Sequence, residues 1–233
     1  MKICFLDNSL IPYTYNDLNS KNIRGGENIV IHLSNELSKL GNNIDVFNNC
    51  KDTAIINNVK WSNINKADKN LIYDIAFTNN DIRLFDKIIA KKYVAFSHSI
   101  QSIEKFIRKR QLTSYLKYKP KIVILGNYHN KNRNYLLKLF GSINLQWAVD
   151  PLFLETKLDE TLIEDRAIFT SRRDRNLDIL IKIWREKIFP INKSIKLYTT
   201  PSELIDFKYN IFARNFGDKI TMVKELLKSK ILL

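Results

Sequence analysis

Three groups of residues have the types and spacing to do chemistry. Gly25-Gly26 lies between a short apolar run and a long helical pattern. Glycines there let backbone N–H groups approach a phosphate, and the start of a helix adds partial positive charge. A tight turn without ligand explains the pair as well, and the G-x-G-x-x-G fingerprint is absent. Ser171-Arg172-Arg173-Asp174-Arg175 puts three arginines in four residues where a strand pattern gives way to a helical one. Guanidinium groups suit a diphosphate through charge-assisted, often bidentate hydrogen bonds; the plain alternative is a solvated turn. His98, in Phe96-Ser97-His98-Ser99, follows another strand pattern, where a polar side chain faces a cleft. His32 falls within a helical pattern and His129 stands apart, so the histidines form no metal-ligand set. No Gly-x-Ser-x-Gly elbow and no Cys/His spacing argues for a hydrolase or protease.

The elements that must position these groups alternate. Lys2–Leu6 reads as a strand, followed by a helix with Ile29, Val30, Leu33, Leu37 and Leu40 on one face and Gly41 closing it. Ile44–Phe47, Ile72–Phe77, Lys92–Phe96, Lys121–Leu125 and Ile143–Trp147 are strand-like, with helical patterns at Asp81–Lys91 and Ser102–Lys117. Strand, glycine loop, helix, strand is a βαβ unit, and its continuation indicates a doubly wound α/β sheet. Val149-Asp150-Pro151 and the acidic stretch after it suggest a break. The expected organisation is a domain over 1–150, a linker over 151–166 and a partial second α/β domain over 167–233. The second contains Ala167–Thr170 and Ile195–Tyr198 as strands, with helices at Leu177–Glu186, near Ser202–Phe207 and at Ile220–Ser229.

The 233 residues carry a net charge of +14, unevenly placed: residues 101–150 alone account for +8. Ser102–Lys119 interleaves Ile103, Phe106, Ile107, Leu112, Tyr115 and Leu116 with Lys105, Arg108, Lys109, Arg110, Lys117 and Lys119, and reads as one amphipathic helix with a cationic face. Such a face can lie on an anionic membrane or bind phosphates of nucleic acid, or it can simply be solvated. No recognition-helix or RNP-type motif accompanies it, so nucleic acid is not expected. Cys4 and Cys50 are too few for a disulfide scaffold or a Cys-rich zinc site. No apolar run approaches the ~20 residues that span a bilayer, and the polar residues from position 7 do not suit a signal peptide. The expected location is the cytoplasm.

Together these pieces resemble the family 4 glycosyltransferases, sugar-nucleotide-dependent enzymes of GT-B architecture. The matching residues are the opening strand with Arg24-Gly25-Gly26-Glu27, the helix ending Leu37-Ser38-Lys39-Leu40-Gly41, Val149-Asp150-Pro151-Leu152-Phe153, and Phe169-Thr170-Ser171-Arg172 to Asp178. The resemblance implies two Rossmann-like domains, the first for a glycan or lipid-linked acceptor and the second for the nucleotide sugar. It implies transfer with anomeric retention and no obligatory metal or other cofactor. Gly25, Gly26, Arg172 and Arg175 would hold the donor diphosphate, with Arg175 standing for the family's lysine at a shortened spacing. His98 would lie near the reacting sugar. Lys105, Arg108, Lys109 and Arg110 would form a basic face toward acceptor or membrane, making the protein peripheral on the inner leaflet. The family's Glu-x7-Glu element is missing: Glu203 is followed eight residues on by Ile211, and Glu225 by Leu233. A C-terminally truncated, inactive chain is therefore expected. The alternative is a non-enzymatic basic module that binds anionic membrane or nucleic acid through residues 101–138.

Overall fold

The computed structural model describes residues 1–18, 20, 23–98, 100–145, 151–157, 163–171, 173–200 and 204–232. It divides the chain into two compact units, Met1–Ala148 and Val149–Leu233.

The first unit is built from β1 (Lys2–Leu6), α1 (Gly25–Lys39), β2 (Asn43–Asn48), β3 (Ala54–Ile56), β4 (Val59–Asn63), β5 (Ile72–Asn79), β6 (Ile89–Phe96), α2 (Ile103–Arg108), α3 (Leu112–Tyr118), β7 (Lys121–Ile124), α4 (Asn127–Asn132) and β8 (Ser142–Asn144). Its sheet runs β3-β4-β2-β1-β5-β6-β7-β8. Every described pairing is parallel except β3 with β4, a hairpin whose Asn57 and Asn58 both take positive φ (53° and 60°). Side chains on β1 alternate between two apolar layers. Ile3 and Phe5 join Val30, Ile31, Val46 and Trp61 on one face, while Cys4 and Leu6 join Phe47, Phe85, Phe106 and Tyr115 on the other. Burial on both faces is what a parallel sheet requires, and it explains the nearly continuous apolar runs in its strands.

Two helical patterns differ from the sequence reading. The face that α1 buries is Glu27, Val30, Ile31, Ser34, Asn35 and Ser38, while Leu33 and Leu37 are half-buried and Leu40 is the exposed C-cap. Small side chains bring the helix close: Ser38 Oγ donates to the Asn57 carbonyl at 3.1 Å. Ser102–Lys117 is two helices rather than one, reversed at Arg110, which has φ 54°. The reason is geometric. At about 100° per residue, Phe106 and Tyr115 would point to opposite sides of an unbroken helix; the break puts both rings in the same core, 5.4 Å apart and edge to face. Asp81–Lys91 holds a 3-10 turn (Ile82–Lys87) capped by Asp81 and then the start of β6.

The second unit comprises α5 (Pro151–Glu155), β9 (Glu164–Phe169), α6 (Leu177–Ile183), β10 (Lys196–Thr199), β11 (Ile211–Ala213), α7 (Lys219–Leu227) and β12 (Ser229–Leu232). Its parallel sheet runs β11-β10-β9-β12 around Ala167, Phe169, Leu177, Ile181, Trp184 and Leu197. Residues 151–166 thus contain α5 and the first residues of β9. Beyond Leu204 the expected helix near Ser202–Phe207 gives way to a 3-10 turn at Phe207–Tyr209 leading into β11; Ser202 and Glu203 lie outside the described residues. One buried charge fastens the unit. Arg166 on β9 pairs with Glu225 of α7 at 3.1 Å and donates to the Glu225 carbonyl at 2.6 Å and to Ser229 Oγ at 3.0 Å, with Tyr198 packed over its guanidinium. Among the described residues, no helix is long and apolar enough to cross a membrane.

Candidate functional site

In the first unit the chain leaves β1 to build β2 on one side and later returns to build β5 on the other. The strand order therefore reverses between β1 and β5, and open α/β sheets bind ligands outside the carboxyl ends of the strands at such a point. Four buried or half-buried polar side chains meet there. Asp7 follows β1, Asn79 ends β5, His98 follows β6, and Glu27 lies in the first turn of α1. Tyr13 donates its phenol hydrogen to Asp7 Oδ2 at 2.6 Å, the Ser9 amide donates to Oδ1 at 3.0 Å, and Asn79 Nδ2 donates to Oδ2 at 3.2 Å. That last bond fixes the amide orientation and leaves Asn79 Oδ1 facing His98 Nε2 at 2.7 Å, so the imidazole donates from Nε2. Ser9 Oγ donates to Glu27 Oε1.

Burial sets the proton affinities. It raises the Asp7 carboxyl against the lowering effect of the Tyr13 and Asn79 bonds, and the Glu27 charge adds to the rise. Burial pushes the Tyr13 phenol up, with the Asp7 charge reinforcing it. It pulls His98 down, and the Asp7 and Glu27 charges only partly oppose this. The cluster thus holds a neutral imidazole beside a carboxyl that gives up its proton late.

Gly26 packs closely against the cluster. A Cβ there would stand 3.1 Å from Asn79 Nδ2 and 3.5 Å from His98 Nε2, whereas a Cβ on Gly25 would meet nothing within 4 Å. Both glycines begin α1, whose first intrahelical bond runs from the Asn28 amide to the Arg24 carbonyl, so the amides of Gly25, Gly26 and Glu27 have no partner within the helix. The structure therefore brings Gly26 and His98 together. It also brings in Asp7, Tyr13, Glu27 and Asn79, which the sequence reading passed over; the available signal was polar residues directly after apolar strand runs, as in Leu6-Asp7 and Thr78-Asn79-Asn80-Asp81.

The basic segment lies beside this cluster. Arg108, Lys109 and Arg110 join Asn8, Asn80, Asp81, Arg83 and Gln111 around a groove of about 500 Å³. Asp81 answers Arg83 with a two-pronged ion pair at 2.7 and 2.9 Å. Lys105 is half-buried, and burial followed by Lys109 and Arg108 lowers its proton affinity. Phe106, Tyr115 and Leu137 belong to the core, so residues 101–138 are an integral part of the sheet-and-helix unit; Ile107 and Leu116 are exposed.

In the second unit Arg172 and the Val149-Asp150 pair lie outside the described residues. Arg173 and Arg175 occupy the exposed turn between β9 and α6, and Arg173 pairs with Asp178 at 3.2 Å. A groove of about 350 Å³ next to this turn carries Arg173, Lys182 and Arg185 with Asp178 and Glu186. Among the described residues, no group of three or more His, Cys, Asp or Glu side chains gathers as a metal site.

No protein-family model matches the chain, and no curated protein matches it in sequence. Solved structures do match. Sucrose-phosphate synthase from Thermosynechococcus elongatus is similar with a TM-score of 0.62 at 12% identity, over 100% of this chain and 74% of the other. A Listeria monocytogenes protein described as a UDP-N-acetylglucosamine 2-epimerase gives a TM-score of 0.47 at 10% identity, over 100% and 73%. At such identities the likeness to the synthase establishes the fold: this is an α/β chain of two Rossmann-like units of the GT-B kind.

Proposed function

We propose that the chain is a retaining, family 4-like glycosyltransferase, or a fragment of one, of the kind that moves a sugar from a nucleotide-sugar donor to a glycan or lipid-linked acceptor. The observation that carries this reading is the hydrogen-bonded chain Asp7–Asn79–His98 at the strand-order reversal of the first unit, closely approached by Gly26. The sucrose-phosphate synthase of like fold is, by its name, an enzyme with a sugar phosphate as product. On this reading the first unit takes the acceptor, and a neutral His98 contacts the reacting sugar. Within the second unit Arg172 and Arg175 hold the donor diphosphate, and within the first the amides of Gly25 and Gly26 offer a phosphate contact of their own. Leaving-group charge is then stabilised by fixed dipoles and cations, a task in which one well-placed donor is worth ~3 kcal/mol. The exposed Ile107, next in sequence to Arg108, Lys109 and Arg110, suits a position against the anionic inner face of a membrane, close to a lipid-linked acceptor.

Titration of nucleotide sugars by calorimetry tests the reading. At least one should bind, and Arg172→Ala should weaken it about ten- to a hundredfold, from the ~1.5–3 kcal/mol of a charge-assisted hydrogen bond. A chain that binds none of a broad panel would overturn the assignment. Co-sedimentation that requires anionic vesicles and fades with salt supports the membrane position; equal recovery with neutral vesicles contradicts it.

A further inference from the structure

Arg133 follows α4 in the first unit and is 6% exposed, yet its Nε and Nη1 are buried without a hydrogen-bond partner. Among the described residues no carboxylate pairs with it, and the Tyr115 phenol acts on it electrostatically. A buried guanidinium left this way is costly, because the water it gave up is replaced by nothing of opposite charge. Across the same recess Gln101 Oε1 is also buried without a partner, and the Gln101 carbonyl accepts from the Asn134 amide at 3.2 Å, so the two segments are tied.

The recess is lined by Ser97, Ile100, Gln101, His129 and Arg133 over the β7 residues Ile122–Ile124. It has room for one water, about 10 Å³, and opens to solvent. One oxygen of a larger group therefore fits against the guanidinium while the rest of that group stays at the mouth. Ser97 and Gln101 also line the neighbouring depression with Lys105 and Lys109, which adds cations along the approach.

We propose that Arg133 is the floor of an oxyanion subsite, which takes a phosphate or carboxylate group carried by the small molecule that binds the first unit. That this molecule is a sugar acceptor rests on the transferase reading above; the anion site itself does not. Burial lowers the Arg133 proton affinity, the direction expected for a cation lacking its counter-charge.

The test uses the full chain with inorganic phosphate and, separately, acetate as probes. The Arg133 Nε–Hε resonance should shift and saturate with phosphate, acetate or both, and the saturating probe should raise Tm by about 2–4 °C. Which probe saturates distinguishes a phosphate from a carboxylate ligand. Arg133→Met should abolish the Tm response while leaving the anion-free chain as stable or more so, because an uncompensated charge is gone. Arg133→Lys should keep a weakened response, and it serves if the Met variant does not fold. An Arg133 resonance unmoved by either anion, or an equal Tm gain in the Met variant, overturns the proposal. If phosphate binds at Arg133 but no nucleotide sugar binds anywhere, the transferase reading fails and the anion site stands.

Discussion

Gly26 and Asn79 approach so closely that a single methyl group on Gly26 would come to 3.1 Å from the Asn79 amide nitrogen. Asn79 cannot retreat freely, since its two ends are bonded to Asp7 and His98. Gly26→Ala should therefore destabilise the chain by about 1–3 kcal/mol, the range for overpacking. Gly25→Ala, in open space at the first turn of the same helix, should stabilise it by about 0.4–1 kcal/mol. Urea midpoints of the two variants should move in opposite directions.

His98 should make stability depend on pH in a defined direction. Burial holds the folded imidazole below the ordinary 6.5, so below that pH the unfolded chain binds the extra proton first. Its contribution is complete above 6.5 and is lost as pH falls toward the folded value. His98→Gln should remove that slope, which unfolding curves taken at a series of pH values will show.

Asp7 should titrate in the opposite sense. Its folded value is raised by burial above 3.8, so its contribution is full below 3.8 and is lost as pH rises through the folded value. Tyr13→Phe deletes a 2.6 Å hydrogen bond that favours the ionised form and should raise the carboxyl further. Carbon-detected NMR of the Asp7 carboxyl should place the wild-type midpoint above 3.8 and that of the variant higher still.

The second unit has a different point of weakness. Burial would raise the Glu225 carboxyl, but Arg166, Arg214 and Lys228 outweigh it and hold the group lowered and charged. Glu225→Ala strands the Arg166 guanidinium, with Glu164 at 3.6 Å as its remaining carboxylate among the described residues. Removing one partner of a buried pair costs ~3–5 kcal/mol, and the low end applies here. Hydrogen exchange should show β9 and β12 losing protection together.

The strands were legible because parallel pairing buries both faces of each one and writes the run into the sequence, as in Lys2–Leu6 and Ile72–Asn79. What escaped had a tertiary cause. The β3–β4 hairpin turns on Asn57-Asn58, whose left-handed conformations are a tolerance of asparagine and not of spacing. The break at Arg110 answers the demand of Phe106 and Tyr115 for one core, which no helical periodicity contains. At the site, Gly26 and His98 stood out by type, but Asp7 and Asn79 count only because β1 and β5, far apart in sequence, are neighbours in the sheet.

That adjacency has a consequence for how the protein is made. Ile3 on β1 faces Ile75 on β5, so the central seam of the sheet joins segments that leave the ribosome roughly seventy residues apart. At synthesis rates of about 5–20 residues per second, β1 waits several seconds for that partner. During the wait Ile3, Cys4, Phe5 and Leu6, all nearly inaccessible in the finished fold, are exposed to whatever else is nearby. Loop closure across that distance must also precede the contacts that reward it, which makes the sheet slow to form. The order of strands that creates the crevice thus also leaves the apolar β1 without its β5 neighbour for part of synthesis.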